Sequence, residues 1–116
     1  MPNLEIGAYR VGALRRDDVD VTRFLIVEPV PGYDGPAAAG GWLYFSDEPP
    51  ELGYATESMV VGRLPTGMFA DIYHIVQTER PVYLTWEQEQ EGNRLVSCGV
   101  TTAEEPPGEG LRDHSA

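Results

Sequence analysis

Apolar and polar residues alternate with a period close to two along the first half of the chain. Leu4 to Arg15 and Val19 to Val30 are rich in β-branched and aromatic residues and flank the polar break Arg15-Arg16-Asp17-Asp18. That pattern predicts two strands of an antiparallel hairpin. Four Gly and two Pro between positions 31 and 41 forbid regular structure and predict a long loop, the best candidate in the chain for a mobile element. Trp42 to Ser46 reads as a third strand, Asp47-Glu48-Pro49-Pro50 as a breaker, and Tyr54 to Leu64 as a fourth strand.

After Pro65-Thr66-Gly67 the period lengthens. Phe69, Ile72, Tyr73 and Val76 recur at i, i+3, i+4 and i+7, which predicts one amphipathic helix from about 67 to 78. Thr66 is placed to cap its N-terminus, and Asp71 sits near the favourable end of its dipole. Pro81 bars further helix, and Val82 to Gln90 with Arg94 to Thr102 predict a last hairpin around Glu91-Gly92-Asn93. Residues 103–116 begin Ala103-Glu104-Glu105-Pro106-Pro107 and are too polar and proline-rich to pack, so a disordered acidic tail is expected. The expected fold is α+β, one domain over residues 1–102. It is a strongly twisted antiparallel sheet of about six strands, ordered β-β-β-β-α-β-β and packed on one helix, with a half-barrel as one form of closure.

Two of these strands are apolar on both sides. Phe24 and Ile26 point away from Leu25 and Val27, and Trp42 and Tyr44 point away from Leu43 and Phe45. Six strands span roughly 29 Å, whereas a 12-residue helix is roughly 18 Å long and 10 to 12 Å across. One helix cannot cover both faces. The remaining face must curl around the helix, enclose a ligand, or meet an identical face in a homodimer. Trp42, Tyr44, Tyr73, His74, Tyr83 and Trp86 are the candidate ligand or interface residues, since aromatic side chains with a polar edge serve both purposes.

Charge narrows the choice of partners. The 116 residues carry a formal charge of −11, and all eight cations are Arg; there is no Lys. Direct binding to nucleic acid or to an anionic membrane needs clustered cations, so neither is expected. Schiff-base, phosphate-loop and Ser-Lys chemistries all need a lysine and are excluded. A single Cys forms no internal disulfide, and the N-terminal residues carry no signal-peptide pattern, so a cytoplasmic protein is expected.

Candidate chemistry is sparse. His74, oriented by Asp71 or Glu57, offers a small acid/base enzyme as one alternative. Cys98 shares a strand face with Val96 and Val100, an apolar setting with no neighbouring cation to activate it. Glu87, Glu89 and Glu91 alternate along the final hairpin, a pattern better suited to a solvated edge than to a metal. No metal-ligand spacing and no dinucleotide fingerprint is present, so no metal or cofactor is expected. No motif carries a family resemblance. The leading expectation is a non-catalytic binding or interaction module. It self-associates as a homodimer, and a small apolar or aromatic ligand between sheet and helix is the variant of that reading. A second alternative is an acidic inhibitor that mimics nucleic acid and blocks a basic partner.

Overall fold

The positions of glycines and polar clusters decide where each strand starts and stops. A computed structural model describes residues 2–15, 23–47 and 51–103. It contains β1 (Asn3–Ala13), β2 (Arg23–Pro29), β3 (Gly41–Ser46), β4 (Gly53–Ala55) and β5 (Val60–Pro65). A 3₁₀ turn (Thr66–Met68), helix α1 (Phe69–Thr78), β6 (Val82–Gln88) and β7 (Leu95–Thr102) complete it. The strands form one seven-stranded mixed sheet in the order β4-β5-β3-β2-β1-β6-β7. The fold is α+β, with one α-helix among the described residues. Residues 16–22, which hold most of the polar break and the start of the second predicted strand, residues 48–50, and the acidic tail from 104 onward lie outside the described residues.

Two expectations about the sheet are corrected. The fourth strand is two strands, because Thr56 folds the chain back: its Oγ1 accepts hydrogen bonds from the amides of Ser58 and Met59 at 3.1 and 3.2 Å. Hydroxyl side chains compete with strand pairing in this way. β4 and β5 therefore pair as a short hairpin, and β5 returns alongside β3 in parallel. The sheet is mixed rather than wholly antiparallel.

The glycine-rich loop is tied down rather than left free. The amides of Ala37 and Ala39 donate to the carbonyls of Glu57 and Ser58 at 2.9 and 2.7 Å, and the Val60 amide donates to Gly40. Ala37 is fully buried at a φ of 62°, and Tyr33 donates its hydroxyl proton to the Pro36 carbonyl. At Gly40 (φ 100°) a Cβ would stand 2.1 Å from the Val27 carbonyl oxygen, so only glycine lets this backbone reach β2.

Thr66 does not cap α1. The chain enters the helix through the 3₁₀ turn, Met68 occupies the N-cap without a side-chain hydrogen bond, and the Thr66 hydroxyl is buried without a partner. The expected stripe does face the core: Ile72 and Val76 are buried, Phe69 packs against them, and Tyr73 stacks on Phe69. Among the described residues no helix is long and apolar enough to cross a membrane.

β1 serves both halves of the sheet. Asn3, Leu4 and Glu5 pair with β6, whereas Ile6 to Ala13 pair with β2, and the register slips between Ile6 and Ala8. Gly7 occupies the slip, where a Cβ would sit 2.8 Å from the Val30 Cα. The bend carries β6 and β7 across the inner face of β3 and β5. A Cβ on Gly41 would lie 2.5 Å from Leu84 Cδ2, and one on Gly62 would lie 2.9 Å from Cys98 Sγ. At the far ends Tyr54 bridges to Arg94, and the Ala55 amide donates to the Asn93 carbonyl at 2.8 Å. The terminal strands of the sheet thus touch each other.

The core between these walls is apolar throughout. Leu4, Leu25, Leu43, Phe45, Leu84 and Trp86 are at most 1% exposed, and among the described residues no polar or charged residue is buried with them. Burying each such side chain contributes roughly 1.5–3 kcal/mol.

Candidate functional site

Strand register turns the doubly apolar segments into two ladders on the outer face of the sheet. The first runs Arg10, Ile26, Trp42, Val61 and Tyr54 across β1, β2, β3, β5 and β4. The second runs Gly12, Phe24, Tyr44 and Arg63 across the first four of those strands. Directly opposed side chains on one face lie about 5 Å apart, so the aromatic and aliphatic residues form one continuous surface. Their inward neighbours Leu25, Val27, Leu43 and Phe45 are fully buried, whereas Phe24, Ile26, Trp42 and Tyr44 are only half-buried.

Local contacts fix the side chains on this surface. The Phe24 ring lies over Gly12, where an added Cβ would come within 2.4 Å of it. The Arg63 guanidinium stands 6.0 Å from the Tyr54 ring centroid and pairs with Glu51 at 3.7 Å. The helix lies on the other side: Phe69 meets Phe45 edge-on at 5.1 Å, and Arg23 sits 5.2 Å from the Phe69 ring. Among the described elements α1 packs mainly against β7 and the 3₁₀ turn.

The six candidate residues separate into different settings. Trp42 and Tyr44 stand at the centre of the ladders. Tyr83 is half-buried on β6, opposite Glu5 and Thr101, beyond β1 from the ladders. Tyr73 is on the inner side, 6.1 Å from Tyr9 and 5.6 Å from Phe69. Trp86 is a core residue, 1% exposed. His74 is exposed on α1, and no carboxylate lies within ion-pair distance of it among the described residues; Asp71 and Glu57 are exposed as well. Arg10, Tyr54 and Arg63 complete the surface, whereas Val61 on the same ladder is buried; sequence reasoning does not reach Tyr54, Val61 and Arg63 because their place depends on β5 running beside β3.

Burial pushes the Cys98 thiol up to about 12, which keeps it protonated and poorly nucleophilic at neutral pH. Cys98 and Val100 pack against the core as their alternation implies, but Val96 does not. A bulge opposite Glu87 and Gln88 turns Leu95 inward instead and leaves Val96 51% exposed. Glu89 is engaged by Arg94 at 3.2 Å, and among the described residues no three His, Cys, Asp or Glu side chains converge. Comparison with protein-family models, with curated proteins and with solved structures finds no match to this chain.

Proposed function

We propose that the protein is a non-catalytic interaction module that self-associates through the outer ladders of β1 to β5. One observation carries this reading: β2 and β3 are apolar on both faces, yet the helix and the β6–β7 arm cover only the inner one. In this reading the sheet curls as a half-barrel around its core, supported by the contacts of Gly41 with Leu84 and Gly62 with Cys98. Those contacts join β3 to β6 and β5 to β7 and leave no room even for a methyl group at either glycine.

Dimensions agree with a dimer interface. Four strands about 20 Å long and the shorter β4 at about 10 Å, spaced about 4.8 Å apart, give roughly 430 Å² in projection. Side-chain relief raises the accessible area above that, toward the roughly 800 Å² per partner of a standard interface. Sedimentation equilibrium tests the reading. The chain is expected to be dimeric at micromolar concentration. Trp42→Ser, which removes a central aromatic anchor worth at least about 2 kcal/mol, is expected to raise the dimer Kd at least about 30-fold. A chain that sediments as a monomer throughout would end the proposal.

A further inference from the structure

We infer that the far half of β1 receives an extended segment of a partner protein as an added strand, and that this segment alternates apolar residues with an acidic one set opposite Arg10. The site is the edge of β1. On one edge β2 pairs with Ile6 and with residues 8–13, whereas on the other β6 pairs with only Asn3, Leu4 and Glu5. β6 begins at Val82, directly after Pro81, which has no amide proton to extend the ladder. Among the described residues the second edge of β1 is therefore bare from 8 to 13. Alternate residues there direct N–H and C=O away from β2, and no hydrogen bond from a turn or loop reaches them.

The ends of the sheet are guarded where this edge is not. β4 and β7 meet through Tyr54 and Arg94, and α1 packs on β7. Open edges are commonly blunted by a proline, a bulge or an inward-pointing charge. Residues 8–13 contain no Pro and no register slip, and their one charged side chain, Arg10, stands on the outer face. The slot is about 20 Å long, enough for about six extended residues.

The pleat dictates what the added strand carries. Tyr9, Val11 and Ala13 line the inner side of the slot, and Val11 is 41% exposed although Leu25, opposite it on β2, is fully buried. Cover from the core stops one strand short of the edge, so an apolar residue beside Val11 completes it. Arg10 is exposed on the other face, with no carboxylate within ion-pair distance among the described residues. Directly opposed side chains lie about 5 Å apart, which favours an acidic residue there. A second copy of β1 lacks one: from the matching face it offers Arg10 only Ala8, Arg10, Gly12 or Leu14. Occupancy of this edge is independent of self-association through the outer ladders.

Residue-resolved amide exchange tests the edge, with a synthetic hexapeptide alternating Val and Asp as the probe at 0.15 M salt. In the free protein the outward amides of residues 8–13 are expected to exchange about tenfold or more faster than those bonded to β2, at every protein concentration. Peptide at about ten times its Kd should slow them roughly tenfold. A hexapeptide alternating Val and Lys should bind roughly threefold more weakly, and Arg10→Glu should reverse that order. N-methylation of alternate peptide residues should abolish protection for one set and spare it for the other, because an added strand bonds β1 through one edge alone. Outward amides already slow in the free chain would mean a closed edge and overturn the inference. Protection that grows with protein concentration would give the edge to a second copy, and no slowing at millimolar peptide would leave it without a strand partner; either result overturns it. Equal binding of the two peptides would overturn the acidic partner, and equal loss from both methylated sets would overturn strand pairing. Sedimentation run beside these measurements reads self-association separately.

Discussion

Adding one methyl group at Gly62 tests whether β7 truly packs across onto β5. The new Cβ would stand 2.9 Å from Cys98 Sγ and 3.0 Å from Leu43 Cδ2, inside the roughly 3.5–4.0 Å of ordinary carbon contacts. Overpacking a filled core costs about 1–3 kcal/mol. Replacing glycine also removes freedom from the unfolded chain and returns about 0.4–1 kcal/mol. Gly62→Ala is therefore expected to destabilise by about 1.3 kcal/mol, near tenfold in the folding equilibrium. Cys98→Ala takes away Sγ, and the next atom of residue 98, its Cβ, is 3.9 Å from the added methyl. The double variant should then lose less than the sum of the singles, with a favourable coupling of about 1 kcal/mol. Urea unfolding followed by tryptophan emission measures all three, with Trp86 as the buried reporter. Additivity within about 0.3 kcal/mol would refute the contact and, with it, the meeting of the two arms of the sheet.

Cys98 supplies two further tests. At pH 8 its thiolate fraction falls from about 1 in 10 for an ordinary thiol to about 1 in 10,000, so native labelling by a thiol reagent should run roughly 1,000-fold slower than in urea. The folded chain holds the proton that the unfolded chain releases above its ordinary 9.0. Stability should thus be full below pH 9 and fall as pH rises toward 12, by at most about 1.4 kcal/mol per pH unit, and Cys98→Ala should lack that component. Phe45→Ala removes a fully buried ring that also contacts Phe69, and a loss of about 3–5 kcal/mol is expected in chemical unfolding. Added salt screens the repulsion between two acidic copies, so the dimer should tighten or hold between low and physiological salt; weakening would point to attraction between opposite charges instead.

The strands, the helix stripe and the two-faced character of β2 and β3 were legible because they are local patterns. Parity alone separates Leu25 and Val27 from Phe24 and Ile26, and burial follows it residue by residue. The parallel pairing of β3 with β5 was not legible, since it hinges on Thr56 turning the chain between two short strands. Without that pairing, Arg63 and Tyr54 cannot be placed beside Trp42. Val96 escaped for a similar reason, because one bulged residue reverses the parity of everything before it on β7. Trp86 and Trp42 illustrate the limit of composition: each belongs to an apolar, aromatic strand, but one is core and the other surface, and only the fold of the β6–β7 arm over β3 distinguishes them.

Native mass spectrometry of the purified chain beside Trp42→Ser reads subunit number and retained mass together. The account predicts a species of twice 12.8 kDa with nothing added, and a single-chain species for the variant. A single-chain mass for the unaltered protein at every concentration, or a dimer that Trp42→Ser leaves intact, would contradict it.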